Sequence, residues 1–593
     1  MSIVHVLRGK PLQSYLLTRF NRKNFANDST KTSATSASTT AGTTQPQGRA
    51  PFITGQTKIS ASSDPQVKVV QKPELNVVVD TTTIKRSVVA DHITKAISFD
   101  NIPGPISLRI IHRIWGLLPI ISTQITGGAI QYLLAVGSLL SWSGNMALFK
   151  RFFDHYGPVV RLHGPLGGDI VMVSRPEHVA AVFKNEGPYP IRSSLDSVEK
   201  YRLQHRKLRH SGPFLMESDT SRFGPEWEKF RKSVEQPLPQ LIAKQYDKME
   251  DTCDKFIMRI ATIRNRQEEV PGTFQKEIYK WCLECMCLVT LDKRLGFLDP
   301  CGLSSTSDPG VLLDGLIKAT KAIQRCEYGL HLWQFFPTPA WKSLVEHCDA
   351  IDSVLSKYVR RIQALIKEKK EAGDKPVKEV SCLMENVLLK PGIMAEDAMT
   401  ILLDMMLIGI NATTHTVAFM LYHLARNPRC QVKLYNEVAR QPGKLSKDAL
   451  LAMPYLQACI KETLRLKPPI PLLGRILQND LSVYNYHIPR GTYLLMVTSL
   501  SSWREEYFED AHKFMPERWM SPLDEMQSFA SIPFGYGAKA CLGKELAEMQ
   551  IGILITKILR SFKIEYLYGD INSTNKLWAA PNKKLRFRFA ERA

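Results

Sequence analysis

FGYGAKACLG, residues 534–543, stands immediately before an apolar, helix-like run that begins near Lys544. Cys541 follows a glycine-rich turn and opens that helix, so its sulfur is expected where the helix dipole favours negative charge. A thiolate in that position is a soft axial ligand for a metal. Gly535 and Gly537 let the backbone turn tightly, and Gly543 leaves room for a close approach with no side chain in the way.

The same residues resemble the cysteine-ligand loop of the cytochrome P-450 family, which runs Phe, two residues, Gly, one, Arg or His, one, Cys, one, Gly. Here the pattern reads Phe534, Gly537, Lys539, Cys541, Gly543. The resemblance implies haem b with Cys541 as axial ligand, a thiolate that pushes electron density onto iron and favours cleavage of an O–O bond. Lys539 departs from the pattern by standing where Arg is usual. It offers a haem propionate a point charge without the planar fork of a guanidinium.

The chain has 593 residues, 44% apolar and 23% charged, which describes a globular protein with a sizeable core. A net charge of +21 calls for an acidic partner, an anionic membrane surface or nucleic acid. No nucleic-acid module is present, which leaves the first two. The eleven cysteines form no secreted disulfide framework. Cys282, Cys285 and Cys287 lie in an apolar helical pattern, and no second CxxC pair or histidine completes a zinc site. Reduced thiols in an intracellular compartment fit this usage.

The N-terminal segment carries Arg8, Lys10, Arg19, Arg22 and Lys23 before its first acid, with leucines and aromatics interspersed. That is the composition of a mitochondrial transit peptide, and no long apolar run suggests a signal anchor. From Ser29 to about Ala50 the chain is rich in Ser, Thr, Gly and Ala, and it stays polar to about Asp100, so residues 1–100 read as transit peptide and disordered leader. Ile102-Pro-Gly-Pro105 resembles the proline-rich entry to the family's catalytic domain, expected over residues 101–593. The apolar stretch from Ile106 to Leu148 is interrupted by Arg109, Arg113, Pro119 and a Gly pair at 127 and 128. It suits a surface-lying or packed segment better than a spanning helix. A helix over Phe149–Tyr156, strands over Val159–Leu162 and Asp169–Val173, and a helix opening at Arg175-Pro176 are expected next. The charged run Lys367 to Lys378 reads as a solvated loop.

Trp227 and Arg231 form a WxxxR pattern, and four-residue spacing puts indole and guanidinium on one helix face. Its position matches the family's third helix, which implies contact with a propionate; Arg475, in LLGRILQND, matches a second propionate-binding position. Residues 277–298 resemble a helix of the mitochondrial class. Glu462 and Arg465 form an ExxR pair, and Arg518 lies in FMPERW, where the family has the third member of a structural network. Leu472, Leu473 and Trp578 occupy stretches that line the family's substrate pocket.

Met394 to Asn427 is the longest helical pattern before the cysteine and nearly all apolar, so a buried helix is expected. It resembles the family's central helix, whose usual motif is Ala or Gly, Gly, any residue, an acid, Thr, then Thr or Ser. Counting back from Arg426-Asn427-Pro428 aligns Ile408, Gly409, Ile410, Asn411, Ala412, Thr413. Asn thus replaces the acid and Ala the threonine of the pair that relays protons for O–O cleavage. Thr413 is rotated about 100 degrees from Ala412, whereas Thr416 lies one turn above it on the same face. Protons are then expected through water held by Asn411 and Thr416, or through a hydroxyl on the substrate.

No flavin fingerprint or iron-sulfur spacing is present, so electrons must come from another protein. The mitochondrial class implies an acidic, adrenodoxin-like ferredoxin and its NADPH-dependent reductase. Lys461 and Lys544 match docking positions of that class, while Gln457 and Glu545 replace expected basic residues. The expected fold is mainly α with small β-sheets. The expected activity is mitochondrial monooxygenation of a lipophilic substrate by O2, on the matrix side of the inner membrane. Leader and central helix look most similar to arthropod steroid hydroxylases of the moulting-hormone pathway, the ecdysteroid 2-hydroxylase among them. A haem-thiolate isomerase or dehydratase of an oxygenated lipid, and a non-catalytic haem protein, remain alternatives.

Overall fold

Apolar side chains recurring every three to four residues give each of the helices that frame the site a buried face. In the computed structural model these are α1 (Gly224–Glu235), α2 (Phe274–Leu291), α3 (Asp308–Glu327), α4 (Ala395–Asp404), α5 (Ile410–Arg426), α6 (Pro454–Leu466) and α7 (Lys544–Ser561). The structure describes residues 97–592 apart from 116–145, 164–168, 193–194, 213–223, 300–302, 328–330, 372–379 and 576. The leader over 1–96 and most of the interrupted apolar stretch therefore lie outside the described residues.

The long apolar pattern forms α4 and α5, joined through a π-helical turn over Met405–Gly409. Asp397 starts it by accepting the backbone N–H of Met394 at 2.8 Å. Pro428 stops it, because the residue before a proline is pushed out of helical geometry, and a new helix begins at Pro428 itself. Phe419 on α5 is 1% exposed. Truncating such a ring to alanine costs about 3–5 kcal/mol. Every residue of α2 from Ile278 to Leu291 is buried, so α2 packs on more than one side.

A four-stranded sheet flanks the helices: β1 (Val159–Leu162), β2 (Ile170–Val173), β3 (Leu473–Ile476) and β4 (Tyr493–Met496), in the order β1-β2-β4-β3. The central β2–β4 pair is parallel, with Val173 opposite Met496, and the outer pairs are antiparallel. Arg475 thus sits on an edge strand.

One expected loop is partly helical. Lys367 to Glu371 form the end of the helix Pro339–Glu371, whose stripe Leu344, Cys348, Ile351, Leu355, Val359 is buried. That stripe carries the helix into the charged run, and Lys369 is held there by Glu385 at 2.7 Å. Residues 372–378 lie outside the described residues.

Candidate functional site

The cysteine loop is built by backbone turns. Gly535 and Gly537 take φ of +72° and +70°, the left-handed region that favours glycine. At Gly537 a Cβ would also lie 2.2 Å from a carboxylate oxygen of Glu186. The Cys541 N–H donates to the Phe534 carbonyl at 2.8 Å, and the Ala540 N–H to that of Gly537 at 3.0 Å. Gly543 is the N-cap of α7. Cys541 is the only exposed cysteine among the described residues. Protein nevertheless surrounds it, so its thiol opens into a concavity rather than onto the outer surface. That burial pushes the thiol upward, opposed by the Gly543 N–H and by Arg231 and Arg192. The helix start therefore contributes as expected, but desolvation outweighs it.

Beside the thiol, Arg192, Arg231, Arg475 and Lys539 crowd together. Burial, then Arg192, Arg475 and Arg231, bring the Lys539 amine down to about 6. Its Nζ is buried with no hydrogen-bond partner and rests 3.7 Å over the Trp227 ring. Arg192 is drawn down to about 10 by burial first and Arg475 second. Glu186 is the carboxylate that opposes them: it accepts from Arg475 Nε at 2.7 Å, while its Oε1 is buried and unpartnered. Burial raises Glu186, against the pull of Arg475 and Lys539. Arg231, predicted to reach a propionate, donates to the Ala540 carbonyl at 3.2 Å and pairs with Glu235 at 3.2 Å. It therefore also ties α1 to the residue before the cysteine. Surplus buried positive charge and an orphaned amine beside an accessible thiol fit a ring cofactor that carries two carboxylates and a thiol-ligated metal. Arg192 and Glu186 were not legible in the sequence, since neither belongs to a spaced motif.

The central helix faces this region with an apolar stripe. Between Thr400 and Ala425 only Met405, Ile408, Gly409 and Ala412 are partly exposed, all on one face. Arg192 lies within electrostatic reach of both Asp404, where α4 ends, and Cys541. The structure differs from expectation at Asn411, which is 2% exposed and turned away from that stripe. Its amide donates to the Leu407 carbonyl at 2.7 Å and to Thr320 Oγ1 at 3.1 Å, and its oxygen accepts from the Tyr279 hydroxyl. Those bonds occupy the groups expected to hold water. Thr413 is buried on the same helix, and Thr416, also buried, donates to the Ala412 carbonyl at 2.9 Å.

The ExxR network forms as predicted. Arg465 grips Glu462 through Nε and Nη2, both at 2.8 Å, and Arg518 Nε adds a contact at 3.2 Å. Trp519 Nε1 and the Met515 N–H complete the cage at 2.8 and 3.0 Å, partners the motif did not announce. Lys461 and Lys544 are exposed, on α6 and at the start of α7. Both act on Glu548, whose acid is raised first by burial, and Glu545 is taken by Lys447 at 2.8 Å. Leu472 and Leu473 are half-buried and Trp578 is buried.

An accessible thiol at a helix start, ringed by cations and faced by an interrupted apolar helix, defines a haem-thiolate protein. A family model described as Cytochrome P-450 matches residues 129–589, and the chain belongs to that family. It is 31% identical over 509 residues to probable cytochrome P-450 301a1, mitochondrial, of Drosophila melanogaster, covering 83% of this chain and 87% of that one. Cytochrome P-450 302a1, mitochondrial, of the same organism is 28% identical over 453 residues, covering 75% and 88%. The heme domain of a cytochrome P-450DA mutant shares the fold with a TM-score of 0.61 at 16% identity, covering 77% of this chain and 95% of that one. Family and fold bind haem through a cysteine thiolate, and the protein is a monooxygenase.

Proposed function

We propose that residues 101–593 form one haem domain that hydroxylates a lipophilic, steroid-like substrate, an ecdysteroid precursor, with C2 hydroxylation as the narrowest form. One atom of dioxygen enters a C–H bond and the other leaves as water, consuming two electrons and two protons. An acidic, adrenodoxin-like ferredoxin and its NADPH-dependent reductase supply the electrons. The work is placed on the matrix side of the inner mitochondrial membrane, supported by the basic, initially acid-free leader and by relatives whose names include "mitochondrial".

Bound through Cys541, the haem supplies dioxygen activation, favoured by electron donation from sulfur. Lys539, Trp227, Arg231, Arg475 and Arg192 hold its carboxylates, and Phe534, Gly537 and Gly543 shape the loop beneath it. Glu462, Arg465 and Arg518 keep that loop's surroundings rigid. Lys461 and Lys544 receive the ferredoxin.

The observation that carries the substrate reading is the stripe Met405, Ile408, Gly409, Ala412, which presents no acid or hydroxyl to the chamber. An apolar wall favours a lipophilic ligand, and a substrate hydroxyl then delivers the proton. Product mass spectrometry over a steroid panel, with reconstituted ferredoxin, tests this. Substrates bearing a hydroxyl near the oxidised carbon should couple best, and equal coupling for substrates lacking one rejects the substrate-assisted step. Turnover of an oxygenated lipid without O2 consumption would favour the isomerase or dehydratase reading instead.

A further inference from the structure

We infer that Tyr279 and Thr320 clamp Asn411 as an uncharged strut that fixes the π turn Met405–Gly409 above the chamber, making Asn411 and Tyr279 positioning residues for oxygen activation. A π turn carries an extra residue per turn and leaves the local hydrogen-bond ladder irregular, so it persists where side chains support it. Here the support comes from three helices. Tyr279 of α2 donates to Asn411 Oδ1, and Asn411 Nδ2 donates at 3.1 Å to Thr320 of α3 and at 2.7 Å to the carbonyl of Leu407, inside the turn. Asn411, Tyr279 and Thr320 are all buried.

The chemistry of the clamp selects an amide. One end must accept from Tyr279 and the other must donate to Leu407. An ionised Asp would accept at one end but set an oxygen against the Leu407 carbonyl at the other, as a buried charge. Leu would leave the Tyr279 hydroxyl without its acceptor. On the chamber side, the turn presents Ile408 and Gly409, with Ala412 next on the same face. A turn held open there sets the clearance for dioxygen and water over the thiol, while Asn411 carries no proton itself.

The test uses full-length holoenzyme with Tyr279→Phe, Thr320→Val and Asn411→Asp, each retaining the thiolate carbonyl band. Hydrogen–deuterium exchange should rise about tenfold over 405–412 and stay unchanged over 417–426, because a lost buried bond opens only the turn it holds. The C–O stretch of the ferrous carbonyl complex should broaden or split, and peroxide released per NADPH should increase. A uniform rise along α4 and α5 would reduce the clamp to general packing and overturn the inference. Exchange within about twofold of wild type in the variants would do the same. Better coupling in Asn411→Asp than in wild type would show an acid carrying protons at that position and would also reject it. If Asn411→Asp fails to load haem, Thr320→Val, which keeps both Asn411 and Tyr279, decides.

Discussion

Replacing Glu462 with glutamine should destabilise the holoprotein by about 3–5 kcal/mol, the cost of breaking a buried ion pair from one side. Five donors converge on this carboxylate. Arg465 supplies two at 2.8 Å, Trp519 one at 2.8 Å, the Met515 backbone one at 3.0 Å and Arg518 one at 3.2 Å. Glu462 and Arg465 both have 0% side-chain exposure, so water cannot take over. Glutamine keeps the shape, but its amide turns a donor toward donors and strands the Arg465 charge. Arg465 also holds the Ser502 and Ala511 carbonyls at 2.6 and 2.7 Å, so Arg465→Lys should cost about as much by losing the fork. Arg518 reaches Glu462 only at 3.2 Å, and Arg518→Lys should cost about 1 kcal/mol. Urea denaturation followed by circular dichroism and by haem absorbance measures these differences against a total stability of about 5–15 kcal/mol. An unchanged midpoint for Glu462→Gln, or equal losses for the two lysine variants, would refute the reasoning.

Acid should weaken the fold through two buried histidines. His415 is lowered to about 4 by burial, and His423 to about 3 by burial with Lys467 and Arg465. Both are neutral when folded, so their contribution is complete above the ordinary value of 6.5 and is lost as pH falls toward 4 and then 3. At pH 5 each costs about 2 kcal/mol, and His423→Phe should flatten the urea midpoint between pH 6.5 and 5. Lys461→Gln should raise the KM for an acidic ferredoxin several-fold and lessen its salt dependence, whereas Glu548→Gln should lower that KM, read by steady-state kinetics at two ionic strengths. Ala412→Thr places a hydroxyl on the chamber-facing stripe. With a hydroxylated substrate it should leave coupling unchanged, and a large gain in product per NADPH would argue that a protein hydroxyl was the missing element.

What the sequence revealed followed local rules. The cysteine loop was legible because positive-φ glycines, the basic residue and the thiol fall within ten consecutive residues, and Glu462–Arg465 because one helical turn fixes their distance. The helix over Met394–Asn427 was legible in extent, since apolar continuity and Pro428 mark it, but its π turn was not, because no local residue pattern encodes the support from Tyr279 and Thr320. Asn411 was read in the place of an acid facing the chamber. The structure turns its amide toward α2 and α3, an orientation set by packing among three helices. Arg192 and Glu186 escaped notice for the same reason, as they meet Lys539 and Arg475 across more than 280 residues of chain in the Glu186–Arg475 case. Only the start of the charged run, Lys367 to Glu371, departs from the expected loop, because the buried stripe that carries the helix begins at Leu344, well before the run.

The sulfur of Cys541 as iron ligand is tested most directly by the absorption of the ferrous carbonyl complex of purified, haem-loaded protein, compared with Cys541→Ala. Wild type should show the red-shifted band of thiolate coordination and the variant should lack it. The account is contradicted if wild type lacks that band, or if the alanine variant keeps it.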